Sequence, residues 1–206
     1  MFSKFLNLKK EKQKKILEAT IREFADKGFD KASTNEIVKE AGISKGILFH
    51  YFKNKKNLFL FVFDYCAELC LDEFLKKVNF KETDFFAKLR QIASLKLELS
   101  HKYPEIFKFF EVAMGEESTA LKGEIEERKK KISESSYSKV LNNIDMSKFR
   151  HGVDAGRAIN IVMWTLDGFG TSELQKAKLS TSKQLNYEKT LHEMDIYIDM
   201  FKNCFY

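Results

Sequence analysis

Between Ser33 and Lys55 the chain gathers side chains that suit a polyanion. Ser33 and Thr34 come first, then Ser44-Lys45-Gly46-Ile47, then Phe49-His50-Tyr51 beyond Leu48, with Lys55 closing the stretch. A helix starting at Ser44 would offer free backbone N–H groups, an ammonium at Lys45 and, at Gly46, no side chain to hold a phosphate away. Ile47 and Phe49 can meet thymine methyl groups, and His50 and Tyr51 carry hydrogen-bonding tips. The chemistry this implies is recognition of double-stranded DNA.

Two short helices must position these groups. Ser33 followed by Glu36 makes an S-x-x-E capping box and starts the first helix. Ile37, Val38 and Ala41 give that helix one apolar face, and Gly42 supplies the positive φ that ends it. Ile43 is the buried turn residue, and Ser44 caps a second helix running to about Tyr51. Leu48 and Phe52, four apart, fasten it to a core. Two helices joined by so tight a turn form a helix-turn-helix.

Across about residues 16–58 the chain resembles the DNA-binding domain of the tetracycline-repressor (TetR) family of bacterial regulators. The resemblance is carried by Ile16-Leu17-x-Ala19, Phe24-Ala25-x-x-Gly28-Phe29, Ser33, Ile37-x-x-x-Ala41-Gly42-Ile43-Ser44-x-Gly46-x-Leu48-x-x-Tyr51-Phe52 and Lys55-x-x-Leu58. Two positions depart from the family pattern: Val38 stands where alanine is usual, and Phe49 where a tyrosine hydroxyl often reaches a phosphate. The resemblance implies that Lys55 contacts the DNA backbone. It also implies a homodimer on a palindromic operator, an effector site in the later helices, and a cytoplasmic protein expected to act as a repressor.

Composition agrees with an all-α chain. Proline occurs once and glycine nine times in 206 residues, and hydrophobic residues make up 44%. The formal charge of +6 is uneven: residues 1–54 hold twelve Lys/Arg against seven Asp/Glu, and the other 152 hold 24 against 23. A polyanionic partner explains that asymmetry. Met1 to Lys15 has no apolar run of a secretory signal, and Leu58 to Leu75 is too interrupted by Asp64, Glu68, Asp72 and Glu73 to span a membrane. Cys66, Cys70 and Cys204 lack metal-ligand spacing and read as buried, reduced thiols.

In order, residues 1–8 read as an N-terminal arm or a slight extension of the first helix, and such arms can enter a minor groove. The lysines from Lys9 to Lys15 are either a solvated face or a phosphate-attracting one. Gly28 ends the first helix. Asn54 caps a fourth helix, whose apolar run Leu58–Phe63 continues at helical spacing too far for a strand. The expected architecture is a three-helix DNA-binding domain over residues 1–54 and a helical effector-binding and dimerisation domain over residues 55–206, about nine helices in all. His101, Phe107, Phe110, Met114, Tyr137 and Trp164 are candidate linings for a small apolar effector, although most of the 20 phenylalanines must be core. The last two long helices, about 150–175 and 182–205, are apolar enough to need covering, and the resemblance implies that they pack against their copies in a second subunit. Asp154 and Asp167 read as caps or interface acids. No cofactor or metal is implied, and none of the four histidines sits in a catalytic motif. Two other classes stay open: a small-molecule-binding protein or enzyme whose helix-turn-helix has lost its function, and an adaptor for a protein partner.

Overall fold

The computed structural model describes residues 2–116, 118–180 and 185–206, except for the side chains of residues 133–138 and 178. Among them the chain is all-helical, with ten α-helices, one short 3-10 turn and no strand. The helices are α1 (Ser3–Leu6), α2 (Lys10–Lys31), α3 (Thr34–Ala41), α4 (Lys45–Phe52), α5 (Lys55–Lys77), α6 (Phe85–Lys102), α7 (Pro104–Met114), α8 (Lys122–Val140), α9 (Ala155–Leu179) and α10 (Tyr187–Phe205). The chain divides into two compact units, Met1–Cys70 with Tyr103–Ile132, and Leu71–Lys102 with Ser133–Tyr206. Residues 1–54 lie wholly in the first, together with the start of α5, all of α7 and the start of α8.

In the first unit α2 is the central element. Ile16, Leu17, Ala19, Phe24 and Ala25 are buried, and they share one core with Ile37 of α3, Leu48 and Phe52 of α4, Leu58, Phe59, Val62 and Phe63 of α5, and Ile106 and Phe109 of α7. Its aromatic centre is edge-on: Phe24 meets Phe59 at 4.8 Å between ring centroids, and Phe59 meets Phe109 at 5.2 Å. Burying each such ring is worth roughly 1.5–3 kcal/mol before entropy is counted. Leu58–Phe63 is therefore helix, and every side chain of that run except Phe61 is buried, because α2 and α7 both pack in this core.

Gly28 interrupts α2 with φ 70° and ψ 177°. A Cβ there would lie 3.7 Å from Val112 Cγ1, an ordinary contact, so the backbone conformation and not space calls for glycine. Asp26 pairs with Lys108 at 2.5 Å, and the Phe29 N–H donates to Glu116 Oε2 at 3.3 Å. The N-terminal residues form neither a free arm nor an extension of α2. They make the separate helix α1, with Phe5 buried in the core.

The second unit is built on Phe85, Phe86 and Leu89 of α6, packed with Phe149, Ala158, Val162 and Ile198. Tyr206 closes it, 4.8 Å from Phe86 and 5.1 Å from Phe149, and its hydroxyl accepts the Phe85 N–H at 3.2 Å. Arg90 of α6 holds α10 through Asp195 at 2.5 Å and through Asp199, and both carboxylates raise the guanidinium pKa. Lys88 is fully buried and donates to the Val140 carbonyl and the Asn143 side chain, where burial lowers its pKa. Asp154 caps α9 by accepting the Arg157 N–H at 3.0 Å, whereas Asp167 is exposed. Of the three thiols only Cys66 is buried, which pushes its pKa up; Cys70 is half-buried and Cys204 is exposed. Among the described residues, no helix is long and apolar enough to cross a membrane.

Candidate nucleic-acid interface

The helix-turn-helix forms from the residues whose spacing signals it. Ser33 Oγ accepts the Glu36 N–H at 3.4 Å and starts α3, and Gly42 ends it in the left-handed region at φ 66°, ψ 37°. The reciprocal half of the expected capping box is absent from the observed bonds. The Ser33 N–H donates instead to Glu23 Oε1 of α2, at 2.7 Å, and Glu36 stands exposed. Glu23 is 8% exposed and also takes Lys27 Nζ at 2.9 Å. Ile43 is half-buried in the turn. Ser44 Oγ then accepts the Ile47 N–H at 3.3 Å and caps α4.

Leu48 and Phe52 of α4 are fully buried, which turns the opposite face outward. Ser44, Lys45, Gly46 and His50 are exposed, and Ile47 is 37% exposed. A Cβ on Gly46 would meet only Ser44 Oγ, at 4.0 Å, so the space in front of this glycine is open. Among the described residues no acidic side chain pairs with Lys45, while Arg22, Lys27 and Lys56 are paired with Glu40, Glu23 and Glu124. Phe49 and Tyr51 are half-buried, and the Tyr51 ring lies 6.0 Å from Phe5. Ser33 and Thr34 are half-buried at the start of α3.

Lys55 has acceptors within the chain. Its Nζ donates to the carbonyls of Asp30 at 3.1 Å and Ala32 at 3.2 Å, and it sits 4.8 Å from the centre of the Phe29 ring. An ammonium at a helix N-terminus opposes the helix dipole, and here carbonyls at the end of α2 offset that cost. One of its three N–H donors is left for another acceptor. Between α4 and α5, Lys53 adopts φ 65°, ψ −48°, and the Asn54 N–H bonds the Phe52 carbonyl at 2.8 Å in a positive-φ γ-turn. Asn54 Oδ1 then caps α5 by accepting the Asn57 N–H at 2.8 Å.

A cleft of about 290 Å³ lies beside the turn, lined by Lys9, Glu11, Lys12 and Lys15 at the start of α2 together with Ala41, Gly42 and Ile43; Glu11 pairs with Lys15 at 3.6 Å. The N-terminal lysines and the helix-turn-helix thus share one surface, which linear spacing does not reveal.

The effector candidates are dispersed. Phe107 and Phe110 lie on α7 with ring centroids 6.2 Å apart, both half-buried, and Phe110 also meets Phe63 at 5.6 Å. Met114, at the end of the same helix, is 41% exposed. His101 and Trp164 belong to the other unit. His101 is exposed, 3.8 Å from a Glu188 carboxylate oxygen, and Trp164 is 72% exposed on α9. The side chain of Tyr137 lies outside the described residues.

Comparison with known proteins puts this geometry in a family. The model for bacterial regulatory proteins of the tetR family matches residues 16–62. YuxN, an HTH-type transcriptional regulator of Bacillus subtilis, is 33% identical over 128 residues, covering 62% of this chain and 42% of that protein. RutR, an HTH-type transcriptional regulator of Escherichia coli, is 33% identical over 101 residues, covering 48% of this chain and 46% of that protein. The chain thus spans less than half the length of these two relatives. The fatty acid metabolism regulator protein of Bacillus subtilis is 24% identical over 172 residues, covering 77% and 81%. Among solved structures, SmeT, the repressor of a Stenotrophomonas maltophilia multidrug efflux pump, shares the fold with a TM-score of 0.66 at 17% identity, covering 98% of this chain and 92% of that one. Residues 16–62 thus match the tetR family of bacterial regulatory proteins in sequence, and nearly the whole chain shares the helical fold of SmeT.

Proposed function

We propose that the protein is a homodimeric repressor that binds a palindromic operator and leaves it when a small apolar effector occupies the later helices. The observation that carries the DNA half is the face of α4: Lys45, Gly46, Ile47 and His50 point outward from a helix anchored by two fully buried side chains. Lys45 and the start of α4 would hold phosphates, with Ser33, Thr34 and the remaining donor of Lys55 beside them. Ile47 and His50 would read base edges, flanked by Phe49 and Tyr51. A dimer would set two such helices about 34–36 Å apart in successive major grooves.

The dimer reading is supported by apolar side chains left in solvent on the last two helices: Ile161 and Trp164 of α9, and Ile196 and Met200 of α10. The apolar effector is supported by the aromatic content of α7 and by the resemblance, over most of both chains, to a regulator of fatty acid metabolism. Such an effector releases DNA only if it binds the free state more tightly than the operator-bound one.

Selection from a random duplex pool at physiological salt tests the reading. Enrichment of a palindrome with half-sites one turn apart is the expected result. Salt-sensitive but sequence-blind binding sinks it. Fatty acids and charged metabolites, added to the selected complex, then separate an apolar effector from a polar one.

A further inference from the structure

The N-terminal residues pack against α4 through aromatic side chains. Phe5 is 1% exposed, with ring centroids 5.0 Å from Phe52, 5.3 Å from Phe61 and 6.0 Å from Tyr51. Phe2 adds contacts to Phe61 at 4.7 Å and Phe52 at 5.8 Å. Gln13 of α2, only 6% exposed, donates from Nε2 to the carbonyls of Leu6 at 2.9 Å and Leu8 at 2.8 Å. These two bonds satisfy carbonyls at the end of α1 that would otherwise lack partners, and they hold its direction relative to α2. Lys4, the only charged residue of α1, points to solvent.

Leu48 and Phe52, four residues apart on one stripe, are the only fully buried side chains of this eight-residue helix, so its tilt about that stripe depends on contacts to either side of it. Phe5 supplies a support off the stripe, touching both Phe52 and its neighbour Tyr51. We propose that residues 2–8 are a positioning element for α4, with Phe5 the positioning residue, and that they do not enter the DNA. This rests on the DNA-binding reading above. Withdrawing Phe2 and Phe5 into a groove would expose the core that they close, so the same segment does not serve both ends.

The test compares Phe5→Ala, Phe5→Leu and Lys4→Ala with the unaltered protein on the selected operator and on a shuffled duplex, with circular dichroism to verify helix content. Phe5→Ala should bind the operator about tenfold or more weakly yet stay within about twofold on the shuffled duplex, because phosphate attraction tolerates a tilted helix and base readout does not. Phe5→Leu should recover most of the loss. Lys4→Ala should leave affinity and salt dependence unchanged. A general loss of fold would weaken both duplexes by one factor, since it only lowers the competent fraction. Equal losses on both duplexes, or a salt slope reduced by about one in Lys4→Ala, would overturn the proposal.

A second measurement needs no DNA. Amide hydrogen exchange over Leu48–Phe52 should quicken about tenfold or more in Phe5→Ala relative to α7 in the same sample, and unchanged protection there overturns the proposal. If the unaltered protein selects no duplex, the DNA reading itself has failed, and exchange alone decides whether Phe5 positions α4.

Discussion

The carboxylate of Glu23 accepts the backbone N–H of Ser33 at 2.7 Å, tying the middle of α2 to the first residue of the helix-turn-helix across ten positions of sequence. Glu23 is 8% exposed and Ser33 is half-buried, so truncating the glutamate leaves a partly buried N–H without its partner. Glu23→Ala should cost about 2 kcal/mol of stability in urea unfolding, and Glu23→Gln, which keeps an acceptor oxygen, roughly half of that. Equal losses for the two variants would mean that the bond to Ser33 is not what matters.

Lys45 and its neighbours should separate grip from reading. Lys45→Ala is expected to weaken binding to every duplex and to lower the salt slope by about one. Ile47→Ala and His50→Ala should change which sequences are selected, at roughly 1–3 kcal/mol for each base pair that is no longer read. Footprint and slope measurements on the selected operator check both.

Lys55 is expected to matter for stability before it matters for DNA. With two carbonyl acceptors and the Phe29 ring engaged, Lys55→Met should lower stability by about 1–2 kcal/mol, the partly exposed site being screened by solvent. Unaltered stability with a reduced salt slope would instead assign the ammonium to the DNA backbone.

Lys53 sits at φ 65° without being glycine or asparagine. Lys53→Gly should raise the urea midpoint, by about 0.5–1 kcal/mol in stability, with the slope of the transition unchanged. A decrease would show that the turn is not strained.

The dimer reading rests on α9 and α10. Trp164→Glu places a charge on an exposed apolar face, so sedimentation should find a monomer of unaltered helix content. A dimer surviving that change, and a second one at Met200→Glu, would move the interface elsewhere.

The helix-turn-helix is legible in the sequence because local chemistry writes it: Ser33 and Ser44 cap, Gly42 takes positive φ, and Leu48 and Phe52 repeat at four. Each signal lies within a few residues of what it causes. The roles of Glu23, Lys55 and Phe5 are not legible there, because their partners are distant. A glutamate in a helix gives no sign that it will bond an amide ten residues on. A lysine in a first turn looks like a phosphate contact until carbonyls of another helix come within reach. Phe5 lies in a segment too short to show a period. The candidate effector residues are the least legible, since an aromatic residue at helical spacing looks the same whether it fills a core, lines a cavity or, like Trp164, stands in solvent.

Trp164 is the chain's single tryptophan, and at 72% exposure its indole is surrounded mostly by water. Intrinsic fluorescence excited selectively at tryptophan therefore reports on one point of α9 alone. A separate chain of this kind should emit far to the red and be readily quenched by iodide. Any molecule that covers α9, another copy included, should shift that emission to the blue, so the unlabelled protein already carries its own optical gauge of what docks on this face.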